Sequence, residues 1–249
     1  MRVYMPRFHV GELGGNLSQM ERDVAEAAEG DSDMVVFPEL FLTGYRGEND
    51  LERIRHALAA TSALYPGMVC VFGSLSEESR NRLIVYFQGD ELVRYDKVHL
   101  FLPNNEQEFW EPGNKYIAYT DGDWRVGLAT CNDVRFPEQV RALRLEHSIN
   151  MMVYPALWPW ARDHVWATLL RARAIENGIF VIGCCISSID NGQERFDGAG
   201  NHVFDPLGNE LYPAGRVYEL DPAILQQVLV DTRSQYRDIK TVELDPQAG

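Results

Sequence analysis

Apolar residues along this chain follow two rhythms, and the switches between them lay out the elements. The runs Val3–Met5, Met34–Phe37, Met68–Gly73, Leu83–Gln88, Trp124–Thr130, Met151–Tyr154 and Ile179–Cys184 have the length and composition of buried strands. Between several of them the apolar positions fall three and four apart. From about Asn16 to Glu29, Leu17, Met20, Val24 and Ala27 or Ala28 share one side of a helix, and Leu51, Ile54 and Leu58 do so over Leu51–Leu64. Further helices are predicted from about Pro137 to His147, from about Arg162 to Asn177 and near Pro222–Val230, with Gly178 closing the second of these. Gly89-Asp90 turns Leu83–Gln88 into Leu92–Tyr95 as a hairpin. After a long loop from Phe101 to Lys115, strands are expected at Tyr116–Tyr119 and, later, near His202–Phe204 and Val217–Leu220. Strands alternating with helices, with hairpins inserted, specify an α/β layered fold with a mixed sheet. No linker or repeat interrupts the pattern, and 249 residues fit one domain over 1–249.

Composition narrows the partners. Lys+Arg of 23 against Asp+Glu of 37 gives a net charge of −14, which disfavours a nucleic-acid backbone or an anionic membrane. No stretch approaches membrane-spanning length, and Met1-Arg2-Val3-Tyr4-Met5-Pro6 lacks the apolar run of a signal peptide. Cys70, Cys131, Cys184 and Cys185 form no Cys-x-x-Cys, no Cys/His ligand spacing and no disulfide framework, so a reducing cytoplasm is expected. Cys184 and Cys185, after Phe180-Val181-Ile182-Gly183, read as small core residues alternating across a strand.

Cys131 is different. An apolar run stops at Ala129-Thr130-Cys131, and Asn132 onward reads as a helix opening. Backbone N–H groups and a helix dipole would there favour thiolate over thiol. A nucleophilic thiol needs a base, and a tetrahedral oxyanion needs a cationic or N–H donor. Glu39 ends the run Val35-Val36-Phe37-Pro38, and the apolar Leu40-Phe41-Leu42 after it argues that the carboxylate is partly buried. Lys97 follows Tyr95-Asp96, and by itself would read as a surface lysine.

Taken together, Glu39, Lys97 and Cys131, in that order and each after a strand-like stretch, resemble the nitrilase superfamily of carbon–nitrogen hydrolases. Phe37-Pro38-Glu39-Leu40-Phe41-Leu42-Thr43-Gly44-Tyr45 is similar to its base motif, Lys97-Val98-His99-Leu100-Phe101 to its lysine motif and Cys131 through Glu138 to its nucleophile motif. Tyr154-Pro155-Ala156-Leu157-Trp158 and Arg171 through Asn177 are similar to two supporting segments. The family's second glutamate, seven residues before a Pro-Gly glycine, falls on Glu106 (113 − 7 = 106). The resemblance implies an αββα sandwich, four layers built on two mixed sheets. It also implies an amidase whose substrate is a small carboxamide, with no metal and no organic cofactor. It further implies a homodimer or higher homo-oligomer pairing through the helices near Pro137–His147 and Arg162–Asn177.

On that reading Glu39 is the base and Lys97 and the Asn132 N–H stabilise the oxyanion, while Glu106 holds Lys97 and the substrate. Tyr45 and Trp158 line the pocket or pack. Asp133, Arg135, Arg173 and Glu176 read as buried structural ion pairs, and a dyad of Cys131 with His99 or His164 is a minor alternative. Trp158, Trp160 and Trp166 are a heavy aromatic load for one stretch, pointing to a pocket or a contact. Asn132 stands where many amidase-like members have an aromatic residue, and resembles some carbamoyl-amino-acid hydrolases. An N-carbamoyl hydrolase therefore stays open as the alternative, and would need a cationic pocket group. A nitrilase is expected less, because true nitrilases tend to carry Trp-Glu after the cysteine. A catalytically idle scaffold is the reading from another class.

Overall fold

In the computed structural model, which describes residues 1–47 and 49–228, the chain forms two six-stranded sheets, a small three-stranded sheet and four α-helices. The elements in chain order begin with β1 (Arg2–Tyr4), β2 (His9–Val10), α1 (Leu13–Glu29), β3 (Met34–Val36) and α2 (Leu51–Leu64). There follow β4 (Val69–Glu77), β5 (Arg80–Phe87), β6 (Asp90–Asp96), β7 (Ile117–Asp121), β8 (Trp124–Leu128) and α3 (Pro137–His147). Next come β9 (Met151–Ala156), α4 (Asp163–Asn177), β10 (Phe180–Cys185), β11 (Ser188–Asp190) and β12 (Arg195–Asp197). The last strands are β13 (His202–Phe204), β14 (Glu210–Leu211) and β15 (Val217–Glu219).

The first sheet runs β15-β1-β3-β4-β5-β6 and the second β14-β13-β10-β9-β8-β7. Both are mixed: β1, β3 and β4 are parallel, as are β8, β9 and β10, and the flanking strands are antiparallel. Period-two alternation decides the layering. Val3, Met34, Val36, Val69, Val71, Leu83 and Val85 point from the first sheet onto Val126, Leu128, Met151, Val153, Phe180 and Ile182 of the second. The other face of the first sheet (Tyr4, Val35, Cys70, Ile84) takes Leu17, Met20 and Val24 of α1 and Ile54 and Leu58 of α2. The other face of the second (Met152, Tyr154, Val181, Phe204) takes Val140 and Leu143 of α3 and Trp166 and Leu170 of α4. The result is the αββα sandwich, with three cores between four layers.

Most predicted elements stand near their expected bounds, and α2 coincides with its range. α1 starts before Asn16 because that residue, buried in the first turn, clasps Gly11 through Oδ1 and Leu42 through Nδ2. β4 continues past Gly73 to Glu77 across a register shift between Val71 and Ser74. β2, β11, β12 and β14, only two or three residues each, carry no periodic signal and were not anticipated. Pro222–Gln227 is a 3₁₀ segment instead of an α-helix, and the last two residues of the helix expected there, Leu229 and Val230, lie outside the described residues. No α-helix opens at Cys131 either: Cys131–Arg135 is a single 3₁₀ stretch, and α3 begins only at Pro137.

Candidate active site

Four strand ends converge at one rim of the sandwich, and each delivers one polar group. After β3 the chain turns at Pro38-Glu39-Leu40, with Leu40 at φ 50°. Gly73 makes that turn possible. At φ 51°, its missing Cβ would stand 1.8 Å from the Pro38 carbonyl oxygen, so only glycine lets β4 pass this close. Ser74 Oγ then accepts the Leu40 N–H at 3.2 Å.

Glu39 arrives with no solvent exposure. Its Oε1 accepts from Lys97 Nζ at 2.9 Å and Asn81 Nδ2 at 2.8 Å, and its Oε2 accepts the Leu157 N–H at 2.8 Å. Lys97, 1% exposed at the end of β6, spends its ammonium on both Glu39 and Glu106, the latter at 2.9 Å. Glu106 also accepts the Tyr45 hydroxyl at 2.8 Å and the Phe101 N–H at 2.8 Å. Two carboxylates and one ammonium thus share a dry volume, where isolated charges would be prohibitive and only mutual pairing sustains them.

Cys131 closes the set from the second sheet. Its backbone sits at φ 48°, a left-handed conformation costing a non-glycine residue on the order of 1 kcal/mol. Asp133 holds the turn: it accepts from Thr130 N at 2.8 Å, His99 N at 2.9 Å, His99 Nδ1 at 2.7 Å and Tyr95 Oη at 2.7 Å. The Cys131 turn is thereby tied to the segment that carries Lys97. Asn132 reinforces the tie by donating Nδ2 to the His99 and Leu100 carbonyls at 3.1 and 3.3 Å.

Electrostatics set the resting protonation. Burial, reinforced by Glu106 and opposed by Lys97, raises the Glu39 carboxyl above its ordinary value. Burial also pushes the Cys131 thiol well up, and the negative charge of the nearby Glu39 carboxylate adds to this. Burial works against the Lys97 charge, yet Glu39, Cys131 and Glu106 outweigh it and hold the ammonium above lysine's usual range. Burial and the neighbouring carboxylates keep the Tyr45 hydroxyl protonated. The expected resting thiolate is therefore corrected: a short 3₁₀ segment supplies little dipole, and burial beside a carboxylate favours the protonated thiol.

A cavity of about 250 Å³ opens onto Cys131, lined among others by Tyr45, Glu106, Asn132 and Trp158. All seven candidate residues, Glu39, Lys97, Cys131, Glu106, Asn132, Tyr45 and Trp158, thus gather at one place. Tyr45 and Trp158 both line and pack: Tyr45 is tilted against Trp110 at 5.7 Å, and Trp158 is stacked on Trp166 at 5.3 Å. Of the three tryptophans only Trp160 stays exposed, at 64%.

Other expectations are revised. Asp133 pairs with backbone, His99 and Tyr95 instead of an arginine, while Arg135 is exposed over the Trp158 ring at 4.7 Å. Arg173 does pair with Glu176 at 2.9 Å, though Glu176 is half in solvent. His99 spends Nδ1 on Asp133 and its ring face on Phe136 at 3.8 Å, and His164 is exposed, so neither is engaged with Cys131. Sequence reasoning missed Asn81, the Leu157 N–H and Glu194, which accepts the Tyr45 N–H at 2.8 Å. None carries a local signal, because each matters only through a partner at least 42 residues away.

Cys70, Cys184 and Cys185 are buried one to each core, Cys70 and Cys185 with thiols pushed up to about 12 by burial. Brief treatment with iodoacetamide should therefore label Cys131 first, through access from the cavity and not through thiolate character. Peptide mapping checks this, and label on Cys184 or Cys185 ahead of Cys131 would contradict the site.

The family model described as carbon–nitrogen hydrolase matches residues 5–198. An omega-amidase of Yersinia enterocolitica is 31% identical over 215 residues, covering 82% of each chain. An (R)-stereoselective amidase of Pseudomonas sp. is 31% identical over 229 residues, covering 85% of this chain and 81% of its own. Among solved structures, a CN-hydrolase superfamily protein of Xanthomonas campestris with an arsenic adduct in its active site superposes at TM-score 0.76. It is 26% identical, with 91% of this chain and 92% of that one covered.

Proposed function

The chain belongs to the carbon–nitrogen hydrolase family, and from that premise we propose that it is an amidase, cleaving a small carboxamide to a carboxylic acid and ammonia through a Cys131 thioester. The observation that carries this reading is the buried Glu39–Lys97–Glu106 cluster beside Cys131 at the floor of the cavity, where Leu157 joins the two: its N–H donates to Glu39 at 2.8 Å and its carbonyl accepts from the Cys131 thiol at 3.7 Å.

Glu39 takes the thiol proton as the sulfur bonds to the amide carbon. The carbonyl oxygen becomes an oxyanion facing the Lys97 ammonium and the Asn132 N–H. As that intermediate collapses the C–N bond breaks, and Glu39 returns the proton to the leaving nitrogen, which departs as ammonia. Water then attacks the thioester with Glu39 again as base, and expulsion of the sulfur, which regains a proton, frees the acid. The raised Glu39 carboxyl suits a group that must hold and release a proton in each half-reaction. Glu106, held by three donors, keeps Lys97 in place.

An N-carbamoyl compound is the second reading, favoured by Asn132 beside the nucleophile. Both leave the same prediction. Attack on a nitrile gives a thioimidate nitrogen needing protons, whereas Lys97 and an N–H donor suit an oxyanion. Ammonia should come from carboxamides or carbamoyl compounds and little or none from the matching nitriles. Faster turnover of a nitrile than of its own amide would overturn this branch of the reading and leave the cysteine chemistry standing.

The proposed assembly is a homodimer through α3 and α4. Ile175 on α4 and the nearby Leu207, each 47% exposed, supply apolar surface for it. Light scattering should give twice the 28.4 kDa chain mass or a multiple of that, and a monomer at micromolar concentration would defeat this.

A further inference from the structure

The two oxygens of Glu39 are not equivalent. Each oxygen of a carboxylate has two lone pairs with which to accept hydrogen bonds. Oε1 has both engaged, accepting Lys97 Nζ at 2.9 Å and Asn81 Nδ2 at 2.8 Å. Oε2 accepts the Leu157 N–H at 2.8 Å and keeps its second lone pair. The carbonyl of that same Leu157 accepts the Cys131 thiol at 3.7 Å, so Oε2 is the oxygen on the Cys131 side.

Asn81 is placed for this by the sheet. It belongs to β5, where it pairs with Ser76 of β4, and its carbonyl accepts the Lys97 N–H at 2.9 Å. The two side chains that meet on Oε1 thus leave neighbouring positions of adjoining chain segments, and each residue is 1% exposed. The orientation of the amide follows from its contact, because the reverse would press Oδ1 against a carboxylate oxygen. In the observed orientation Oδ1 is buried without a partner among the described residues. A buried polar atom left unpaired costs stability, so packing alone would favour an apolar side chain here. The donor end of the amide, set on Glu39, accounts for a residue whose other end is idle.

We propose that Asn81 is a positioning residue which, by filling the second lone pair of Glu39 Oε1, confines the catalytic proton to Oε2. The inference rests on the amidase reading and names the atom of the base that carries the proton. The thiol S–H bond breaks as Oε2–H forms, and Oε2–H breaks as the leaving nitrogen gains its proton. A proton on Oε1 would instead have to displace Asn81 or Lys97, and would point at them and not at the sulfur. The Asn81 N–H also favours the ionised carboxylate, in a site whose burial works against it.

The charged and titratable groups about Glu39 are Lys97, Glu106, Cys131 and Tyr45, and all four are retained when Asn81 alone is changed. Asn81→Leu keeps the volume and removes the donor, whereas Asn81→Ala opens space for a water that can donate to Oε1 in its place. Ammonia release is measured across pH from acetamide, propionamide, butanamide, succinamide and glutaramide. On whichever of these wild type cleaves, Asn81→Leu should lower kcat by on the order of tenfold or more with little change in KM, the effect of losing one hydrogen bond to a charged group. The acidic limb of its kcat/KM profile should move to higher pH, because a carboxylate stripped of a donor holds its proton more tightly. Asn81→Ala should lie between Asn81→Leu and wild type in both respects. A merely structural role moves the readouts the other way. A loosened site admits water, relieves the burial that raises Glu39 and carries the limb to lower pH, and the volume-keeping Asn81→Leu is then the milder variant. If the melt of Asn81→Leu shows that it does not fold, the limb of Asn81→Ala decides, an upward shift upholding the assignment and any other result overturning it. Wild-type kcat in Asn81→Leu, or a limb unmoved or moved downward, overturns the role of Asn81 and leaves the amidase reading standing. Ammonia from none of the compounds with the wild-type protein defeats both.

Discussion

Replacing Cys131 with alanine should abolish turnover and leave the fold in place. Loss of a covalent nucleophile costs a factor on the order of 10⁴ or more in kcat. Stability should change little, for two reasons. Alanine pays the same left-handed backbone cost that Cys131 already bears at φ 48°. The sulfur also borders an open cavity, so removing it leaves no sealed void in a core. Circular dichroism and a thermal melt, beside an ammonia assay on any amide that is cleaved, check both halves. A variant keeping a tenth of wild-type activity with its melt unchanged would mean that sulfur is not the nucleophile.

The second large effect separates the two carboxylates from the ammonium. Glu39→Gln should cost at least ~10³-fold in kcat, because the same group accepts a proton in both half-reactions. It should not unfold the protein, since the buried cluster then holds one ammonium and one carboxylate, Lys97 and Glu106. Lys97→Ala does the opposite. It removes the oxyanion donor and leaves Glu39 and Glu106, both fully buried, without a counter-charge. Breaking such a pair costs about 3–5 kcal/mol. The sign with pH follows from linkage. With Lys97 gone, the Glu39 carboxyl, already raised by burial, retains its proton in the folded state at a pH where the unfolded chain has lost it. Stability of Lys97→Ala should therefore decline as pH rises above the ordinary carboxylate range. Melts across pH, wild type against variant, measure it. A Lys97→Ala protein that melts like wild type at neutral pH would show that the ammonium is not holding the cluster together.

Glu39 and Cys131 were legible because each ends a strand-like run at a turn, whereas Lys97, by itself a surface lysine, and Glu106 were legible only through the resemblance to the family. A strand must end, a proline or glycine must turn the chain, and a reactive group must stand at the turn. The layers were legible in part. The continuous apolar run Met34–Val36 and the period of three to four in α1 and α2 say which residues are buried, but neither says what a face is buried against. Only the folded chain shows that Val36 meets the second sheet while Val35 meets the helices.

What the sequence by itself determined is the order of the longer strands and of the four α-helices, and the family. Tertiary structure alone decided the protonation of the reactive groups and the company they keep. Desolvation is a property of the assembled site, so the thiolate expected from a helix opening at Cys131 gave way to a protonated thiol against Glu39. It decided also that Asp133 braces the Cys131 turn instead of pairing with an arginine, because His99 and Tyr95 approach it from across the fold. It set Asn81, 42 positions from Glu39, against Oε1 of that carboxylate. Local preference acts over a few residues, whereas burial, charge pairing and cavity walls arise from distant segments brought into contact, and a one-dimensional pattern carries no record of which segments those are.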